Sequence, residues 1–98
     1  MEFVDRIIIL QEEESGNGWR VVVQIGENSD TALNYNVQVD EEIYERLTGG
    51  NISPGDLVEE SFKYLLEHED KHSILKDFDL DVITTYFPSY EKEIVKRL

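Results

Sequence analysis

Ile52-Ser53-Pro54-Gly55-Asp56-Leu57 constrains this chain more than any other stretch, because it writes a helix start in four ways at once. Ser53 is of the type that caps free backbone amides. Pro54 falls at the first helical position, where its missing N–H costs nothing. Asp56 comes three residues after the cap, in place to bond back to it, and Ile52 and Leu57 are spaced to close a hydrophobic staple. The residues before this point read as strands and those after it as helices, so these six divide the architecture.

Upstream, residues 3–10 are apolar and rich in isoleucine, interrupted by Asp5 and Arg6. Residues 11–18 hold three glutamates and then Ser15, Gly16, Asn17 and Gly18, a loop composition. Trp19, Val21, Val23 and Ile25 alternate with Arg20, Val22 and Gln24, which predicts a strand over 19–26. After a turn region at 26–30, Leu33, Tyr35, Val37 and Val39 alternate with Asn34, Asn36 and Gln38, which predicts a strand over 32–39. Three strands with short connections predict an antiparallel meander with one covered face.

Asp40 is placed to cap a short helix over 41–48, with Ile43, Tyr44 and Leu47 inward and Gly49-Gly50 as its stop. The Ser53-capped helix is expected over 54–68, where Leu57, Val58, Ser61, Phe62, Leu65 and Leu66 form a wide stripe. Asp70 and Asp79 are placed to cap helices over 71–77 and 80–87. Pro88 breaks the pattern, and a last helix over 89–97 carries Tyr90, Ile94 and Leu98. Strands followed by helices predict an α+β fold of one domain over 1–98, with four to five helices packed on one face of the sheet.

Charge limits the partners. The 98 residues carry 22 acids against 9 bases, a net of −13, and both halves of the chain are acidic. Such a chain repels polyanions at long range and attracts basic partners. It has no cysteine, which excludes disulfides, thiolate catalysis and cysteine-based metal sites. The longest apolar run, Ile7–Leu10, is far too short to span a membrane, and the first residues lack the pattern of a signal peptide. Cytoplasmic residence and no membrane association are expected.

Three constellations invite chemistry. His68-Glu69-Asp70-Lys71-His72 matches H-E-x-x-H, in which two histidines on one helical face hold zinc and the glutamate activates a bound water. Charged Asp70 and Lys71, and the capping look of Asp70, weigh against a continuous helix here. His68 and His72 therefore stand only as secondary metal candidates, and no metal or cofactor is expected. Asn34, Asn36 and Gln38, followed by a short helix and the Ser53 cap, resemble the ribbon-helix-helix fold of small repressors. That resemblance implies strand side chains at base edges and a phosphate at the second helix's N-terminus. The acids Asp40, Glu41, Glu42, Glu45 and Asp56 oppose it, since DNA affinity comes largely from neutralising phosphates. Finally Tyr64, Phe78, Tyr86, Phe87 and Tyr90 crowd the helical half. Aromatics at helical spacing usually form core, but short helices cannot bury every face, so these five are the candidates for a partner surface. No nucleophile–base pair and no phosphate loop stand out, so no catalytic residue is assigned.

Leu47-Thr48-Gly49-Gly50-Asn51-Ile52-Ser53-Pro54, Leu57-Val58, Ser61-Phe62, Ile74-Leu75-Lys76-Asp77-Phe78-Asp79-Leu80 and Tyr86-Phe87-Pro88 together resemble a family of small prokaryotic proteins without an assigned activity. The resemblance covers roughly residues 44–94. It implies a prokaryotic source and a compact domain, and no mechanism. The expectation from the residues is a small acidic cytosolic domain that works by protein contact without catalysis, through a basic partner or as a homodimer. A ribbon-helix-helix-like DNA-binding regulator and an H-E-x-x-H zinc hydrolase are the alternatives.

Overall fold

The structure, a computed structural model, describes residues 6–26 and 31–98. The part of the first expected strand at 3–5 and the turn at 27–30 lie outside the described residues. The α+β class holds, with four strands and four helices among the described residues, in the order β1 (Ile7–Ser15), β2 (Gly18–Ile25), β3 (Leu33–Asp40), α1 (Glu41–Thr48), α2 (Pro54–His68), β4 (Asp77–Asp79), α3 (Val82–Tyr86) and α4 (Tyr90–Arg97).

The sheet is mixed, not a three-stranded meander. Its spatial order is β1-β2-β3-β4, with three antiparallel strands and β4 parallel to β3. A parallel neighbour needs a long crossover, and here α1 and α2 supply it. The expected helix over 71–77 is absent. That stretch begins with a 3₁₀ turn, Lys71–Ser73, and ends in β4. Phe78 is buried there between exposed Asp77 and Asp79, a strand alternation only three residues long. Neighbours hold the segment extended: the Asn36 amide donates to the Lys76 carbonyl at 2.8 Å and the Leu80 amide to the Gln38 carbonyl at 2.9 Å. The helix expected over 80–87 shortens to Val82–Tyr86, preceded by Asp81 and not by Asp79.

The first strand runs five residues past the expected end at Leu10. Glu12, Glu13 and Glu14 pair with Val21, Arg20 and Trp19, and a two-residue turn at Gly16-Asn17 closes the hairpin. Gly16 has φ +57, a positive value at the place where a type II′ turn needs one. The register shifts between Ile9 and Gln11, leaving Leu10 as a bulge that is half exposed. Side chains alternate along a strand, so one extra residue reverses the facing of everything after it. Glu12, opposite Val21, is thereby turned to the covered face.

That face is apolar. Val21, Val23, Ile25, Tyr35, Val37 and Val39 are all essentially buried. Leu57, Val58, Phe62 and Leu65 of α2 and Ile43 and Leu47 of α1 join the same core. The opposite face carries Arg20, Val22, Gln24, Asn34, Asn36 and Gln38, none of them buried. Both expected helix starts form. The Asp40 carboxylate accepts from the Glu42 amide at 3.0 Å, and the Ser53 hydroxyl accepts from the Asp56 amide at 3.0 Å. Gly49 ends α1 with φ +66. Trp19 is half buried against the core, with its ring 4.7 Å edge-on from Tyr44, whose hydroxyl donates to the Ile52 carbonyl.

Gly18 opens β2 where β3 passes closest, and a Cβ at Gly18 would lie 1.9 Å from the Val39 carbonyl oxygen. Gly18→Ala is expected to cost more than about 2 kcal/mol, because backbone must move. At Gly16 a Cβ meets nothing within 4 Å, and Gly16→Ala is expected to cost only about 1 kcal/mol for its left-handed φ. Urea unfolding of the two variants measures the difference.

Candidate functional site

The aromatics of the helical half divide into a buried set and a surface set. Tyr90 is fully buried, its hydroxyl 2.6 Å from that of Ser61, which also donates to the Leu57 carbonyl at 2.8 Å. Tyr90 therefore does not belong to the surface. Its role is to fasten α4 to α2, and burial pushes its hydroxyl pKa up. Phe78 is buried too, with its ring 6.1 Å from Phe62. Tyr64 is almost wholly buried at the centre of a cluster: its ring lies 5.5 Å from Tyr90, 6.0 Å from Phe87 and 4.4 Å from His68. Phe87 is half buried, and Tyr86 stands 66% exposed.

Two hollows meet at Tyr86 and Phe87. The first is a cleft of about 150 Å³ between the end of α2, the segment 73–78 and α3. Leu65, Ile74, Phe78, Val82, Ile83 and Phe87 wall it, and Leu75, half exposed, stands at its mouth with Tyr86. Phe78 and Tyr64 thus reach the surface only as walls of hollows. Among the described residues Glu69 is the one charged residue lining the cleft. Burial alone holds its carboxyl above the usual carboxylate range, and among the described residues it has no ion-pair partner. The second hollow, about 490 Å³, is lined by Tyr64, His68, Phe87, Glu67, Glu93 and Arg97 among others. The Arg97 guanidinium lies 5.6 Å over the Tyr64 ring and donates to Glu67 at 2.7 Å, which holds the Glu67 carboxyl below its usual range.

The H-E-x-x-H spacing does not build a metal site. α2 ends at His68, and Glu69 is extended at φ −152. The turn that would stack the two histidines is missing. His68 packs instead on Tyr64 and Phe87, at 4.4 and 5.3 Å, and His72 faces Asp70 at 3.2 Å. Among the described residues no group of three or more His, Cys, Asp or Glu could hold a metal ion. The residue that the motif would make a catalytic base, Glu69, lines the apolar cleft.

The ribbon-helix-helix arrangement also lacks its geometry. That fold needs a strand free to pair with a partner's, and β3 is bonded on both edges, to β2 and β4. The phosphate position at the start of α2 is filled from within: the Glu12 carboxylate accepts from the Gly55 amide at 2.6 Å. Asn36 accepts from Arg20 at 2.9 Å, and Arg46 is held by Glu91 at 2.9 Å and Glu42 at 3.8 Å. Asn34, Asn36 and Gln38 do share the uncovered face.

Leu75, Val82 and Glu69 were not among the expected surface residues. Leu75 carried a readable signal, since a short segment with Ile74 and Leu75 side by side cannot bury both. Glu69 carried none. Comparison of the chain with protein-family models, with curated proteins and with solved structures finds no match. No helix among the described residues is long and apolar enough to cross a membrane.

The buried hydroxyl pair is asymmetric. Ser61→Ala strands the Tyr90 hydroxyl and is expected to cost about 1–3 kcal/mol, whereas Tyr90→Phe leaves Ser61 bonded to Leu57 and is expected to cost about 1 kcal/mol, both read by denaturant unfolding. Glu69 holds its proton more tightly folded than unfolded, so its contribution to stability is full at low pH and is lost as pH rises through its folded-state pKa. Glu69→Gln should therefore melt above the parent at pH 7, with the gap closing toward pH 4; melting curves at both values check the sign.

Proposed function

We propose that this chain is a non-catalytic, cytosolic protein-contact domain whose docking surface is the apolar cleft under Tyr86 and Leu75. The observation that carries this reading is the gathering of those two exposed side chains with half-buried Val82 and Phe87 over one cleft of about 150 Å³. Single exposed apolar side chains are ordinary on any protein, whereas a contiguous group around a hollow marks a contact surface. The cleft is the size of a cavity that holds one benzene-sized group, which suits a single anchoring side chain from a partner.

Charge selects the partner. A second copy of this chain would bring a further −13 to the contact, whereas a basic protein meets a field that draws it in. The occupant is therefore read as a segment of a basic protein that lays one side chain into the cleft. The prokaryotic resemblance belongs to this reading and rests on the residues quoted for it.

The test is a pair of surface variants, Tyr86→Ala and Leu75→Ser. Tyr86→Ala is expected to change stability by less than about 0.5 kcal/mol and Leu75→Ser by about 1 kcal/mol, since Leu75 is half buried. Binding to a basic partner identified by affinity capture should weaken by at least roughly tenfold in each variant, measured by calorimetry, as for truncation of an anchor at an interface. Light scattering on the parent should give a monomer. A dimer abolished by either variant would make the second copy the occupant instead. Equal affinity of parent and variants for the captured protein would move the contact away from this cleft.

A further inference from the structure

Glu69 gives the cleft a selectivity that its apolar walls lack. Leu65, Ile74, Phe78 and Ile83 are buried side chains and offer a partner nothing but apolar contact. Glu69 lines the same space half buried. Elsewhere on this molecule carboxylates near cations are engaged: Glu67 with Arg97 at 2.7 Å, Glu91 with Arg46 at 2.9 Å, Glu60 with Lys63 at 3.1 Å. Glu69 has no such cation, and no other charged side chain lines the cleft among the described residues. A half-buried carboxylate without a counter-charge pays for lost hydration and recovers nothing.

We infer that the cleft is a lysine pocket: the methylene stem of a partner's lysine lies against Leu65, Ile74, Phe78 and Ile83, and its ammonium meets Glu69. This rests on the reading of the cleft as a docking surface and names the side chain it takes. Lysine suits the shape. Its four-carbon stem buries readily along apolar surface while the compact ammonium stays at the mouth. The planar guanidinium of arginine favours stacking and paired acceptors, and the cleft offers a single carboxylate. The inference also agrees with the overall charge, because a lysine-bearing partner is drawn to a chain of net −13. Burial takes water from the Glu69 carboxylate and so raises its pKa, and an ammonium brought to it would replace part of that lost solvation.

The experiment compares Nα-acetyl-lysine amide, whose side-chain ammonium is free, with Nα-acetyl-norleucine amide, which has a similar unbranched stem and no charge. Both are titrated into the full chain and followed by NMR at the amide and methyl signals of Leu65, Ile74 and Ile83. The lysine probe is expected to bind roughly tenfold more tightly than norleucine, the worth of one charge-assisted contact in a partly buried site. Glu69→Gln should bring the two probes level. Glu14→Gln, an equal change of charge on exposed β1, should keep the lysine preference. If norleucine binds as tightly as lysine, or the preference survives Glu69→Gln, the lysine pocket is wrong while the apolar cleft stands. If neither probe shifts these signals, the docking surface itself is wrong. The two-probe comparison on the unaltered chain decides the point even should Glu69→Gln not fold.

Discussion

The seating of α2 on the sheet is the interaction on which everything else in this molecule rests. Leu57, Val58, Phe62 and Leu65 are buried among Val21, Val23, Tyr35 and Val37. Each such side chain, fully buried, contributes about 1.5–3 kcal/mol relative to exposure, whereas an exposed ion pair contributes about 1 kcal/mol at most. The apolar face therefore decides where α2 lies, and the polar contacts decide its register. At its start Glu12 bonds to the Gly55 amide; near its middle Ser61 holds Tyr90. β4 is held by its hydrogen bonds to β3, whereas α4 takes its position from α2. α4 hangs on Tyr90, and the cleft opens where Leu65 runs past the short α3.

Acidity has two separate uses here. Most carboxylates are exposed and set the long-range field. Glu12 is different. The bulge at Leu10 turns it to the covered face, where it meets the positive end of a helix and one of its free amides. An anion at that place is favourable, so an excess of acid in the chain does not weaken the fold there. Glu69 stands apart again: it lines the cleft half buried, and among the described residues it has no ion-pair partner.

Much of the fold was legible in the residues. The alternation at 19–25 and 33–39, the caps Asp40 and Ser53, and the stop at Gly49 each arise from near neighbours in sequence, and each formed as read. The failures lie where a distant partner overrides local preference. Gln11 to Glu14 have little tendency toward strand, yet pairing with β2 carries them into one. Ile74, Leu75 and Phe78 have helical spacing, yet hydrogen bonds to β3 draw 77–79 into the sheet. H-E-x-x-H held a zinc spacing, and the break of α2 after His68 removed its geometry. Of the five aromatics read as a partner surface, Tyr86 and Phe87 flank the cleft, Tyr64 and Phe78 are walls, and Tyr90 is core.

The residue order alone determined the strand faces, both capped helices and the sign of the field, because these depend on periodicity, on cap chemistry and on a count of charges. Only the tertiary structure decided that the sheet has a fourth, parallel strand, that Glu12 serves the start of α2, and that Glu69 shares a cleft with Phe78 and Ile83. Those three depend on residues tens of positions apart meeting in space. No local pattern carries that information, because the energy that brings them together belongs to the burial of the whole apolar face of the sheet.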